Sequence, residues 1–341
     1  MSGSVPRFHQ QSRAACRAFS GPGSAGRPGP ARVKCDNRRT MGQHDPTPAP
    51  AAPAAEERDH KDKHGRRGTM SKLSPSLKAL INAPFARPGP VAAPRGMADV
   101  YRAIARDAAR GKLGARPWLA ISTAATLTLN SPDALAVLYD VAAAQAGAAA
   151  TQTAELMREV GLKCISFNGI PRTINCLNAF HASLPRDVAA SLSTKPARAP
   201  TPHDADAGRR LWDSIYAPFE AKLVAKLARA HPDLPLLILG SHYGPLLADP
   251  PGHRVALGRV LTSAVAVACL RAQTGVAPQV LSHVFGLRKA WEDGTWRGGE
   301  EDEDVVRWLA GDEGAAWVLR TVDGIVEALG GSSFGNMESK L

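Results

Sequence analysis

Two short stretches of this chain carry side chains whose types and spacing could do chemistry. The first runs from Arg158 to Cys176, where Gly169 and Pro171 interrupt an otherwise apolar helical pattern. The interruption puts Asn168 and Arg172 at a kink or at the junction of two helices. Backbone N–H groups freed beside a guanidinium suit a carboxylate or a phosphate, so both residues are expected to bind substrate. The plainer alternative is a helical joint in which Arg172 caps carbonyl groups. In the second stretch, Gln279 to Trp291, Gln279 and His283 stand at i and i+4 on one helix face. Gly286 and Ala290 would let another element approach that face closely. His283 is then a candidate general base and Gln279 a substrate contact; the alternative is a buried histidine satisfied by a carbonyl.

Metal and nucleotide chemistry find no support. The ten histidines are scattered, and no His-x-x-x-His carries a glutamate between its ends. No Gly-rich loop follows a strand, so no cofactor is expected.

The elements that must position these residues are helices. Apolar residues recur in steps of three or four within 98–110 (Val100, Ile104, Ala108), 217–230 (Phe219, Leu223, Leu227) and 313–329 (Val318, Val322, Ile325, Leu329). Ser131-Pro132-Asp133 has the form of an N-cap with proline in the first turn, opening a helix through Val141. Leu234 to Leu239 is compatible with a short strand but stands alone. An all-α fold is expected. The Pro/Ala/Arg stretch at 185–202 separates segments of similar length and character, 70–184 and 203–330, which read as two related helical halves.

Residues 1–69 differ in kind. From Lys34 to Met70 there is no large aliphatic or aromatic side chain, so the segment cannot offset its ordering entropy and is expected to be disordered. Residues 1–70 also hold 13 Lys/Arg against 6 Asp/Glu, a net +7 of the chain's +11. The body is therefore close to neutral, and a nucleic-acid-binding face is not expected. Richness in Arg and Ser gives the head some likeness to a mitochondrial transit peptide, against which its Pro and Gly argue; Met70 is an alternative initiator. The ending Ser339-Lys340-Leu341 has the form of the tripeptide bound by the peroxisomal import receptor, so the peroxisomal matrix is the expected location. The longest apolar run, Val255 to Leu270, is broken by Arg259, and no membrane span is expected. Five cysteines form no Cys-x-x-Cys pair, which argues against a disulfide scaffold and a zinc ribbon.

Leu162-Lys-Cys-Ile-Ser-Phe-Asn-Gly-Ile-Pro-Arg-Thr-Ile-Asn175, Val267-Ala-Cys-Leu-Arg-Ala-Gln273 and His283-Val-Phe-Gly-Leu-Arg-Lys289 together resemble the carboxymuconolactone decarboxylase / alkylhydroperoxidase D (AhpD)-like superfamily, in particular its fungal, peroxisome-directed branch. The resemblance extends over roughly Met70 to Leu341. It implies an all-helical AhpD-like fold in two pseudo-related halves, assembling into trimers or hexamers. Glu159 and His283 match family positions, whereas the cysteine positions hold other residues, so thiol peroxidase chemistry is disfavoured. What remains implied is cofactor-free acid–base chemistry on a small lactone or carboxylated substrate. His283 would shuttle the proton, Glu159 would be its carboxylate counterpart, and Arg172 the anion anchor. A non-catalytic oligomeric matrix protein is the competing reading.

Overall fold

The computed structural model describes residues 73–198, 203–299, 301–332 and 334, and among these residues every regular element is helical. Residues 1–69 and the Ser339-Lys340-Leu341 ending lie outside the described residues. The first helices are α1 (Pro75–Ile81), α2 (Met97–Arg110), α3 (Ala115–Thr128), α4 (Pro132–Ala146), α5 (Ala150–Asn168), α6 (Ile170–Ser183) and α7 (Arg186–Ser191). After them come α8 (His203–Tyr216), α9 (Glu220–Ala230), α10 (Leu234–Leu237), and a π-helical run over Ile238–Leu247. The chain continues through α11 (Gly258–Gln273), α12 (Ala277–Glu292), α13 (Glu303–Ala310) and α14 (Asp312–Ala328).

Two helices form the centre. In α3 every residue from Pro117 to Thr128 is buried, and in α11 every residue from Val260 to Leu270. Helices apolar all round belong inside, and small residues such as Ala120, Ala124, Ala264 and Ala268 let the pair approach. Around them pack α5, α14 and α2. On α14 the stripe Val318, Val322 and Ile325, continued by Leu329 just past its end, is buried as its periodicity predicts. The hydroxyls buried in α3 are partly satisfied locally: Thr128 donates to Ala124 O at 2.7 Å, and Thr126 pairs with the Tyr101 hydroxyl at 2.6 Å.

The expected halves meet in this core, since α3 and α5 from one pack against α11 and α14 from the other. Residues 185–198, the described part of the stretch between the halves, are partly helical. They include α7, and Leu184, Val188 and Leu192 are buried. Three details of local structure differ from expectation. Leu234 to Leu239 is helical rather than extended, with Pro235 tolerated in the first turn, where its missing N–H has no helical partner to lose. Phe219, placed on the buried stripe of α9, is 63% exposed just before the helix begins. Ser131 precedes α4 as expected, but its hydroxyl donates to Val91 O at 2.7 Å instead of capping the helix.

The stretch Pro132–Asn168 is long and apolar enough to cross a bilayer by composition. Here Leu135, Leu138, Met157, Val160 and Cys164 are buried in the core, and the chain turns at Gly147, where φ is +53°.

Candidate active site

A second, smaller apolar cluster beside the main core gathers Trp212 and Ile215 of α8 with Tyr243 and Leu247 of the π-helical run. The approach depends on Gly208. A Cβ built there would lie 2.6 Å from both Gly244 N and Leu239 O, so only glycine lets the two backbones meet. Gly208, Trp212 and Tyr216 stand at i, i+4 and i+8, on one face of α8. Seating the first therefore lays the other two against Tyr243. The Trp212 ring lies 5.0 Å from Tyr243 and 4.2 Å from Tyr216, centroid to centroid.

Helix α12 brings His283 to the same place. Gly286, three residues on, faces Ile215, whose Cγ2 would lie 2.9 Å from an added Cβ. His283 Nε2 is 3.3 Å from the Tyr216 hydroxyl, which is 2.9 Å from the Tyr243 hydroxyl. His283 Nδ1 has no hydrogen-bond partner among the described residues, although the side chain is buried. Phe167, at the end of α5, packs edge-on against the imidazole at 6.2 Å.

Arg259, at the start of α11, supports this cluster from below. Its Nε donates to Ser214 Oγ at 2.9 Å, Nη2 to Gly286 O at 2.7 Å and Nη1 to Ser263 Oγ. Burial lowers its pKa to about 10, still well above neutrality, so a cation sits beneath the imidazole. Burial first and Arg259 second push the His283 pKa down to about 4. The imidazole is therefore neutral at physiological pH. Burial raises the pKa of both Tyr216 and Tyr243, so both phenols keep their protons. The three groups form a hydrogen-bonded chain that can run in either direction. Nε2 accepts from Tyr216 in one tautomer and donates to it in the other.

Tyr216 also lines a cleft of about 490 Å³. Its apolar walls are Ile215, Phe219, Leu223 and Phe285, and Lys222, Lys226 and Lys289 stand along it. Lys289 donates to Ala217 O, whereas Lys222 and Lys226, at i and i+4 on α9, are exposed. An apolar cleft with cations along it suits an anion with a hydrophobic body.

The other residues expected around His283 are elsewhere. Glu159 is buried, with both carboxylate oxygens held by Arg198; Arg198 Nη1 donates to Oε2 at 3.0 Å and Nη2 to Oε1. His253 Nε2 lies 3.9 Å away on the same carboxylate. Phe167, which touches His283, is eight residues further along α5, about 12 Å by helical rise, so Glu159 does not serve His283. Its surroundings include Lys163, fully buried, bonded to Leu247 O and 2.8 Å from Asp249. Burial lowers the Lys163 pKa despite these partners.

Arg172 donates to Thr128 O and lies over the Phe334 ring at 3.7 Å. It thus caps a carbonyl at the end of α3, the plainer of its two expected roles. Asn168 ends α5, with Gly169 at φ +78° starting the turn into α6. Its Oδ1 accepts from Thr128 Oγ1 at 3.1 Å and from Gln273 Nε2 at 3.2 Å. Gln279 is exposed in the first turn of α12. Of the five, only His283 lies in the aromatic cluster, which is completed by Tyr216, Tyr243, Trp212 and Arg259. No local sequence pattern links Tyr216 and Tyr243 to His283, from which they lie 67 and 40 residues away. Among the described residues no group of three His, Cys, Asp or Glu side chains is placed to hold a metal ion.

No family model, characterised protein or solved structure matches this chain.

Proposed function

We propose that this protein is a cofactor-free acid–base enzyme acting on a small carboxylated substrate with an apolar body, a lactone acid being one such compound. The observation that carries the reading is the Tyr243–Tyr216–His283 chain, which ends in a neutral buried imidazole and shares Tyr216 with the lysine-flanked cleft. A substrate in that cleft would meet Tyr216, and His283 would act behind it. Tyr216 exchanges a proton with the substrate while His283 Nε2 takes up or returns the proton across their hydrogen bond. Burial first, and Arg259 second, keep the imidazole neutral, poised to accept a proton rather than already holding one. The low His283 pKa also limits the driving force of that transfer, so its charged form needs an anionic partner, which a bound carboxylate would supply. The resemblance to carboxymuconolactone decarboxylase-like chains agrees with this reading through His283 and the all-helical fold, while Glu159 and Arg172 have structural partners instead.

The test is a screen of small apolar carboxylates and lactones for thermal stabilisation and turnover, with Tyr216→Phe and His283→Asn in parallel. Turnover lost in both variants while stabilisation by ligand survives supports the reading. Turnover unchanged in both would overturn it.

A second reading, non-catalytic self-assembly, is favoured by one observation. On the other side of α12 a groove of about 830 Å³ is lined by Leu270, Val280, Leu281, Val284, Leu319 and Val326. Leu281, which lines this groove, is 58% exposed. A sedimentation measurement of the full chain and a Leu281→Glu variant tests it: a wild-type oligomer that the substitution dissociates supports assembly through this face, and a wild-type monomer rejects it.

A further inference from the structure

Three of the cysteines lie in the core, and two of them meet. Cys164 on α5 and Cys269 on α11 are 105 residues apart in sequence, yet their sulfurs are 3.5 Å apart and both are fully buried. The spacing of the cysteines gives no hint of this pair. Asn168, one turn beyond Cys164, points its Nδ2 at Cys269 Sγ from 4.0 Å, and Gln273, one turn beyond Cys269, donates to Asn168 Oδ1. The two helices are thus pinned together by a polar clasp at the site of the thiols. Closing a disulfide needs the sulfurs to approach to about 2.05 Å, which a change of side-chain torsion and a small helix shift can supply.

We propose that Cys164 and Cys269 are a redox-modification site, closed to a disulfide by a small peroxide and staplng α5 to α11. Hydrogen peroxide converts one thiol to a sulfenic acid with release of one water. The second thiol then attacks that sulfur, forming the S–S bond and releasing a second water. Two thiols lose two electrons and two protons, and one peroxide is reduced to two waters. A peroxide molecule is close to water in size, so brief openings of the core suffice to admit it. Burial holds the Cys164 thiol well above its ordinary pKa, which makes the closure slow and keeps the pair reduced until oxidant persists. The staple would constrain the wall of the aromatic cluster, because Phe167, three residues after Cys164, packs on His283.

The experiment treats the folded full-length chain with hydrogen peroxide, blocks remaining thiols, digests with trypsin and identifies cross-linked peptides by mass. The expected product joins peptide 164–172 to peptide 260–271, two hydrogens lighter than their sum. It should persist in Cys176→Ser, vanish in Cys269→Ala, and raise the Tm of the wild type, since it closes a loop of 105 residues in the unfolded chain. Over-oxidation of either thiol without a cross-link would overturn the proposal. So would a cross-link seen only in urea, or one that joins Cys176 instead.

Discussion

The Tyr216 hydroxyl stands between two partners, 2.9 Å from Tyr243 and 3.3 Å from the Nε2 of His283, and Tyr216 is the residue through which the buried histidine adjoins the lysine-flanked cleft. This relationship divides labour within the site. The tyrosine makes the contact, and the histidine, shielded from water, sets the proton balance behind it.

Removing the Tyr216 hydroxyl should separate chemistry from binding. Tyr216→Phe keeps the ring against Trp212 and the cleft but breaks the chain to His283. The expected loss is about 10²–10⁴-fold in kcat with KM changed little, as for removal of an acid–base group. Steady-state kinetics on the substrate found by screening would check it.

Lys222 and Lys226 should affect binding and leave chemistry alone. Both are solvent-exposed, so each charge contributes only about 0.2–1 kcal/mol to holding an anion. The double variant Lys222→Gln/Lys226→Gln should raise KM several-fold with kcat unchanged. The wild-type KM should itself rise with salt, because exposed charges are screened.

Stability should depend on pH through His283. Its pKa is about 4 in the folded chain, below the ordinary value of 6.5. Between those values the unfolded chain binds a proton at this residue and the native one does not. Native stability is therefore favoured above pH 6.5 and falls as pH drops towards 4, by about 3 kcal/mol in all. Denaturant melts of wild type and His283→Gln across this range should show the slope reduced in the variant.

Glu159 gives the opposite signature. Its carboxylate is paired with Arg198 in a buried setting about 12 Å along α5 from the aromatic cluster. Glu159→Gln leaves that arginine without its counter-charge and should cost about 3 kcal/mol of stability. The folded fraction should turn over substrate at the wild-type rate. Chemical denaturation and active-site-normalised kinetics distinguish the two effects.

The fold was legible where a helix lies on the surface of the core. On α14 an apolar stripe faces inward and a polar one faces water, so the period appears in the sequence. The central helices α3 and α11 are buried on all sides, which erases that period and leaves only a run of apolar residues. Arg259 shows how such a run misleads. It reads as an interruption in the Val255–Leu270 stretch, whereas its guanidinium ties α8, α11 and α12 together beneath His283. His283 itself was legible as an ionisable group on an apolar helix. Tyr216 and Tyr243 were not, because they lie 67 and 40 residues from it and meet it only through the close approach of α8 to the π-helical run at Gly208 and Gly244. Glu159 was assigned through the family resemblance and Arg172 through the interruption at Gly169 and Pro171, and their partners, Arg198 and the Thr128 carbonyl, come from segments that no local pattern links to them.

The most direct measurement is an NMR titration of the ¹⁵N-labelled histidine rings, with His283 assigned by its loss in His283→Gln. The account predicts a ring that stays neutral from pH 7 to about 4 and whose Nε2 shift responds to Tyr216→Phe. Titration near the ordinary histidine pKa of 6.5, indifferent to Tyr216, would contradict it.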